Sequence, residues 1–260
     1  ARVDLLADLK RIGIDEISYK RGHRYLTVVV DHASGRLVWA AKGHDKKTLR
    51  GFFDALGVER CAEIKLVSCD AAEWIGDVVR ARCENATVCL DAFHLVKWVT
   101  DALDKVRRDT WNEARRGGMR THARDLKHAR YALWKNPEDL TTRQQAKLAW
   151  VAKVNRRLYR AYLLKEQFRA IIALKGPQAL VMLARWLDWA ARPRITVFVE
   201  LGRRIRKHLA GIEAALLHGL SNALIESTNT KIRLLTRIAY GFKEPEHLIA
   251  RAPPDRGGSC

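Results

Sequence analysis

The stretch Arg11-Ile12-Gly13-Ile14-Asp15-Glu16-Ile17-Ser18-Tyr19 most constrains how this chain can fold, because it sets an acidic pair inside an apolar run. Two further runs follow, His23-Arg24-Tyr25-Leu26-Thr27-Val28-Val29-Val30-Asp31 and Gly35-Arg36-Leu37-Val38-Trp39-Ala40. Short punctuation at Arg21-Gly22 and Ser34-Gly35 separates them, so the three read as an antiparallel meander of β-branched and aromatic strands. The first run is too apolar for a solvated edge, which places Asp15 in the middle of a sheet. A carboxylate there is costly to bury unless a cation meets it, and no basic residue lies beside it in the strand. A metal ion is one such partner. A turn cap or a distant arginine is the other, and at this point both stay open.

Beyond the meander the pattern changes to strands alternating with helices. Asp45 to Gly57 reads as a helix with Asp45 as N-cap, Gly57 as stop, and Leu49, Phe52, Phe53 and Leu56 as its buried stripe. Ile64 to Asp70 is a short apolar strand ending in a carboxylate. Ala71 to Cys83 is amphipathic through Trp74, Ile75, Val78 and Val79, and a second short strand from Ala86 again ends in an aspartate, Asp91. A helix from Phe93 to about Asp109 then presents Leu95, Val96, Val99, Leu103 and Val106. Strands alternating with helices imply parallel strands joined by right-handed crossovers. The expected fold class is therefore α/β: a ribonuclease H-like mixed five-stranded sheet with flanking helices and a large all-helical insertion. In such a sheet the first and fourth strands are central neighbours, so Asp15 and Asp70 would face one another.

Charge supplies the insertion. The formal net charge is +19, far beyond what solubility needs, and points to a polyanionic partner. Residues 1–100 carry 16 basic and 14 acidic side chains, residues 101–210 carry 26 and 10, and residues 211–260 carry 6 and 5. Nearly all the excess thus sits in the middle. That segment has almost no β-type runs and holds Trp111, Trp134, Trp150, Trp186 and Trp189, whose spacing fits packing better than base stacking. Breaks at Asn136-Pro137 and Lys175-Gly176-Pro177 divide it into about four helices. The expected organisation is residues 1–110 as the first part of a catalytic core, 111–210 as a basic helical insertion, and 211–260 as the final core helices. Five cysteines, odd in number and without a C-x-x-C pair, argue against a zinc ribbon or disulfide scaffold and fit a reducing cytoplasm. No apolar run approaches the ~20 residues of a membrane span, and the start shows no signal-peptide core. The opening Ala1-Arg2-Val3-Asp4, without an initiator methionine, is what a fragment of a longer protein would show.

A third carboxylate lies far along the chain. In Ser221-Asn222-Ala223-Leu224-Ile225-Glu226-Ser227-Thr228-Asn229-Thr230-Lys231-Ile232-Arg233-Leu234-Leu235-Thr236-Arg237, Ser221 or Asn222 signals a helix start. On a 3.6-residue period Asn222, Glu226, Asn229 or Thr230, Arg233 and Arg237 share one stripe, while Leu224, Ile232 and Leu235 are available for packing. An ordinary solvated face is the alternative. Its surroundings, rich in Asn, Ser and Thr rather than in Glu and Lys, speak against that.

Several motifs stand in a familiar order: Gly13-Ile14-Asp15-Glu16 with Gly22-His23-Arg24-Tyr25, Val67-Ser68-Cys69-Asp70, Asp91-Ala92-Phe93-His94-Leu95-Val96-Lys97 and Ala102-Leu103-Asp104-Lys105-Val106-Arg107-Arg108. Ser221 to Glu226 and Ala239-Tyr240-Gly241-Phe242 follow. From about Arg11 to about Ala252 the chain resembles the DDE transposase domain of the ISL3 family of bacterial insertion sequences. The resemblance implies metal-dependent cleavage and strand transfer of DNA, with Asp15, Asp70 and Glu226 as the catalytic, metal-holding carboxylates. Asp91 and His94 match the D-x-x-H signature of several transposase groups, although an aspartate there also caps a following helix. Full-length members carry an N-terminal zinc-binding and helix-turn-helix region without counterpart in these 260 residues, so recognition of specific transposon ends is not expected of this stretch by itself. Pro253-Pro254 also depart from the family's apolar helical pattern.

Three carboxylates without a cysteine or histidine cluster select hard cations, Mg²⁺ or Mn²⁺, and the two-ion scheme sets a pair about 3.5–4 Å apart. Asp15 is expected to bridge them, with Asp70 and Glu226 completing one side each. Lys231, Arg233 and Arg237 would hold a DNA phosphate, and Arg156, Arg157 and Arg160 in the insertion would grip the backbone irrespective of sequence. The expected partners are DNA, as transposon ends and target, and further copies of the chain in a homo-oligomer when active, with no membrane. The expected location is the bacterial cytoplasm at the nucleoid. Two rivals stay in view: a ribonuclease H-like nuclease that cuts without joining, and an inactive DNA-binding protein derived from a transposase.

Overall fold

The computed structural model describes residues 4–20, 24–192 and 195–218. These fall into two compact units, one up to Asp91 and the other from Ala92 onward. The first unit opens with three strands, β1 (Arg11–Lys20), β2 (Arg24–Asp31) and β3 (Leu37–Lys42), paired antiparallel as a meander. Helices α1 (Lys46–Leu56) and α2 (Val58–Glu63), strand β4 (Leu66–Cys69), helix α3 (Glu73–Arg82) and strand β5 (Thr87–Leu90) follow. The sheet is mixed and five-stranded, in the order β3-β2-β1-β4-β5. β4 pairs parallel with both β1 and β5, so the first and fourth strands are neighbours as expected.

Local chemistry explains α1. The Asp45 carboxylate accepts the Thr48 N–H at 2.7 Å, which satisfies a donor that the helix leaves orphaned. At the far end Gly57, with φ of 85°, donates its N–H to the Phe53 carbonyl. Between the caps Leu49, Phe52, Phe53 and Leu56 are buried, on the predicted stripe. The turn into the helix depends on Gly43. Its φ of 127° is unfavourable for any side chain, and a Cβ there would lie 2.3 Å from the Thr48 hydroxyl oxygen.

The core of this unit lies between α1–α3 and one face of the sheet. That face contributes Ile12, Ile14, Val29, Val38, Val67 and Cys69, and the helices contribute Phe52, Phe53, Ile75, Val78 and Val79 among others. Trp39 packs its ring 5.6 Å from Phe52, which in turn meets Phe53 edge-on at 4.9 Å. The opposite face carries Ile17, Leu26, Val28, Val30, Leu37 and Ala40, all buried.

The second unit is helical throughout its described residues. It runs α4 (Ala92–Arg116), α5 (Arg120–His128), α6 (Arg130–Trp134), a 3₁₀ turn (Pro137–Asp139), α7 (Thr142–Val154), α8 (Arg156–Leu174), α9 (Pro177–Ala191), α10 (Thr196–Lys207) and α11 (Leu209–His218). The segment expected to hold about four helices thus holds more, because α5 and α6 are short and abut at Ala129 without a Gly or Pro between them. Helix α4 also runs unbroken across residue 110, where the sequence reading places a boundary; it buries Leu95, Val99, Leu103 and Val106 of the expected stripe and adds Trp98, Ala102, Arg107, Thr110 and Ala114, whereas Val96 is half-buried. The predicted breaks are present, at the 3₁₀ turn before a Thr141–Gln144 capping box and at Gly176-Pro177. Trp186 is fully buried, donates its indole N–H to the Leu164 carbonyl at 2.9 Å, and meets Phe168 edge-on. The other four tryptophans of the segment are half-buried, and guanidinium groups cover two of them, Arg115 over Trp111 and Arg130 over Trp134.

Candidate active site

Register is what assembles the site. The β1–β4 ladder runs from Arg11 against Leu66 to Gly13 against Ser68. The ladder ends there, and Asp15 and Asp70 each lie two residues beyond this last pair. The β4–β5 ladder sets Cys69 against Leu90, so its next step sets Asp70 against Asp91, whose backbone N–H donates to the Cys69 carbonyl at 2.8 Å. Paired residues of neighbouring strands share a face. Asp70 and Asp91 therefore stand side by side just past the ends of β4 and β5, and Asp15, in the middle of β1, lies on the same face by the alternation from Gly13 and Ser68. This is the face of Val28, which pairs with Asp15, and not the face packed by α1–α3. In parallel sheets this end is where ligands are commonly bound.

Backbone donors orient two of the three carboxylates. Asp15 Oδ1 accepts the Glu16 N–H at 2.7 Å, and Asp70 Oδ1 accepts the Ala72 N–H at 2.9 Å, which shapes the turn into α3. All three aspartates are half-buried. Glu16, on the other face of β1, reports the local field. Burial, and next the Asp70 carboxylate, push its pKa above the ordinary carboxylate value; His44 opposes this and Asp15 adds to it. The carboxylate oxygens of Asp15 and Asp70 are donors of the kind that a hard divalent cation prefers. Among the described residues no three or more His, Cys, Asp or Glu side chains are grouped to hold a metal ion.

Glu226, Lys231, Arg233 and Arg237 lie outside the described residues. His94 is half-buried on the first turn of α4, in the second unit, with its ring edge-on to that of Phe93 at 5.8 Å. Arg156, Arg157 and Arg160 are all exposed on the first turns of α8, and Arg157 is paired with Glu113 at 3.0 Å. Four described cysteines, Cys61, Cys69, Cys83 and Cys89, are buried and unpaired in disulfides. Burial pushes the Cys69 thiol up to about 12, so these are inert core residues. No helix among the described residues is long and apolar enough to cross a membrane.

One residue beside the site escaped the sequence reading. His32 is 8% exposed, and its Nε2 lies 2.7 Å from the Ser68 hydroxyl. Its N–H donates to the Arg11 carbonyl, extending the β1–β2 ladder, so the side-chain bond crosses β1 at Gly13, where no side chain intervenes. It ties β2 to β4 two residues before Asp70. No local signal marks it, since its partner is 36 residues away.

Burial lowers the His32 pKa below 6.5, a shift that Asp31 opposes, Arg11 reinforces and Asp91 opposes. An unfolded histidine takes a proton near 6.5, while folded His32 stays neutral to a lower pH. Between the two values the unfolded state binds more protons, so stability falls as pH drops through that window. His32→Gln is expected to flatten this loss. Thermal melts of the two proteins between pH 7.5 and 5 check it, and parallel curves would remove His32 as the cause.

Comparison with known proteins identifies the family. Over 270 residues the chain is 62% identical to the transposase for insertion sequence element IS1557 of Mycobacterium tuberculosis, in strains CDC 1551 and H37Rv, covering 96% of this chain and 61% of the relative. It is 28% identical over 245 residues to the transposase for insertion sequence element IS1001 of Bordetella parapertussis, covering 94% and 60%. The chain thus spans about three fifths of the length of these relatives. The model of the ISL3 DDE family, described as a transposase, matches residues 12–252, and the chain belongs to that family.

Proposed function

We propose that this chain is the catalytic region of an insertion-sequence transposase that cuts and joins DNA strands at transposon ends and target. The observation that supports this reading is the parallel β1–β4 pairing, whose last pair, Gly13 and Ser68, lies two residues before Asp15 and Asp70 on their strands. The order β3-β2-β1-β4-β5, with an antiparallel first half and parallel second half, supports a ribonuclease H-like core. In this proposal residues 1–110 and 211–260 build that core around a basic helical insertion at 111–210.

Asp15, Asp70 and Glu226 would hold Mg²⁺ or Mn²⁺ as two ions, with Asp91 and His94 in supporting roles. Bound there, such ions supply Lewis-acid activation of the attacking oxygen and charge stabilisation at the scissile phosphate. The protein's own part is to fix the carboxylates. The Glu16 and Ala72 N–H groups orient Asp15 and Asp70. Lys231, Arg233 and Arg237 are proposed to hold a DNA phosphate. The active form is proposed to be a homo-oligomer working at the bacterial nucleoid.

The test is incubation of the full-length protein with transposon-end DNA in Mg²⁺. Cleaved ends together with strand-transfer products support the proposal. Cleavage without joining would identify a nuclease, and binding without metal-dependent cleavage an inactive DNA-binding derivative.

The basic helices supply a grip on the backbone. Arg156 and Arg160 lie one turn apart on α8, whereas reversing Arg157 would set two carboxylates together at Glu113. Arg156→Glu with Arg160→Glu is therefore the cleaner variant. It is expected to weaken binding to all DNA sequences alike and to reduce the salt slope by about 2. Anisotropy titrations on two unrelated duplexes check this, and loss confined to one of them would indicate base readout instead.

A further inference from the structure

We propose that the cleft between α5, α6 and the start of α7 docks a single DNA strand, with Arg124 and Arg143 on its phosphates and the Tyr131 ring against a base. The cleft has a volume of about 580 Å³, a size suited to nucleotide-scale ligands. Arg124 and His128 line it from α5, and Arg143 and Lys147 from α7. Each pair is spaced i,i+4, so each helix turns one basic stripe toward the same recess. Asp125 pairs with Lys147, at 3.0 Å, and also attracts the neighbouring Arg124 and His122, one carboxylate among several basic groups. Among the described residues Arg124 and Arg143 make no ion pair, and the recess keeps a cationic excess in a concave wall, where the field on an anion is strongest.

Tyr131 distinguishes a strand from a duplex. Tyr131 lines the cleft and is 62% exposed, so this aromatic residue is not taken up by the packing of α6. A paired, stacked duplex offers its base faces to nothing in such a recess. A single strand offers every base face, and a basic groove with an aromatic platform is how such strands are held. The inference rests on the reading that this chain works on DNA.

The experiment uses the full chain with a fluorescein-labelled oligothymidylate and a mixed-sequence duplex, titrated across a salt series. Arg124→Ala with Arg143→Ala is expected to weaken strand binding and to lower the slope of log K against log salt by about 1.4, some 0.7 per lost phosphate contact. Tyr131→Ala is expected to weaken strand binding about five- to a hundredfold with the slope unchanged. Duplex binding by that variant, and strand binding by Tyr131→Phe, should match the parent. Circular dichroism melts confirm that each variant is folded. Unchanged strand binding by the double variant overturns the proposal, as does an equal loss on strand and duplex in Tyr131→Ala. End cleavage by the same proteins separates the two readings. Normal cleft variants with active cleavage sink the cleft alone, whereas a functioning cleft without metal-dependent cleavage sinks the transposase reading alone.

Discussion

Asp15→Asn and Asp70→Asn, made singly in the full-length protein, are each expected to lower DNA cleavage and joining by about a thousandfold or more while leaving DNA binding within about twofold. The substitution keeps side-chain volume and one acceptor oxygen, so the Glu16 N–H and Ala72 N–H each retain a partner. What is lost is a negative charge. Cation binding and stabilisation of the transition-state phosphate both draw on that charge, and about 4 kcal/mol is a thousandfold in rate. Because each residue follows the paired Gly13 and Ser68 by two positions on neighbouring strands, the two are proposed to act on one site. The double variant should therefore lose scarcely more than either single one, as groups acting as a unit do. Quantifying cleaved ends at saturating Mg²⁺ is the measurement. Additive losses, or a near-active single variant, would mean that the two carboxylates serve different purposes.

Much of the sheet that carries this candidate site was legible in sequence because its parts carry local signals. Alternation over Arg11 to Ala40 gave the meander, and the two short apolar runs, each closing on an aspartate, gave β4 and β5. Their order then implied that β1 and β4 are neighbours, which is a topological argument and holds without side-chain detail. What escaped has partners distant in sequence or shares a signal with something else. The His32–Ser68 bond joins strands that no periodicity links. Gly57 reads as a stop for α1, yet the same residue is also the N-cap of α2, so the stop signal hides a second helix that follows at once. Lys165 looks like one more surface cation of a basic segment. It is instead buried, paired with Glu166 and donating to the Lys135 carbonyl at 3.2 Å, and burial lowers its pKa. A lysine's burial depends on which helix lies opposite, and that choice is made by tertiary packing.

Glu226→Gln is the second large effect, and it tests the part of the site that lies farthest along the chain. Glu226 comes 156 residues after Asp70, so only the fold can bring the two together. If it supplies the third carboxylate, replacing it removes about one of three anionic charges set against two divalent cations, which weakens cation binding and transition-state stabilisation together. Cleavage and joining should fall by about two to three orders of magnitude, with DNA binding unchanged or slightly tighter because a negative charge facing phosphates is gone. Raising Mg²⁺ should recover part of the loss, because a weakened site still fills at higher ion concentration, whereas a folding defect would not respond to the ion. Glu213 on α11 and Glu244 near the end of the chain flank the same region and should tolerate the change to glutamine. Near-normal cleavage by Glu226→Gln would move the third ligand elsewhere. Asp91 is then first in line, since the β4–β5 register already sets it beside Asp70, and Asp91→Asn would be the variant that loses activity.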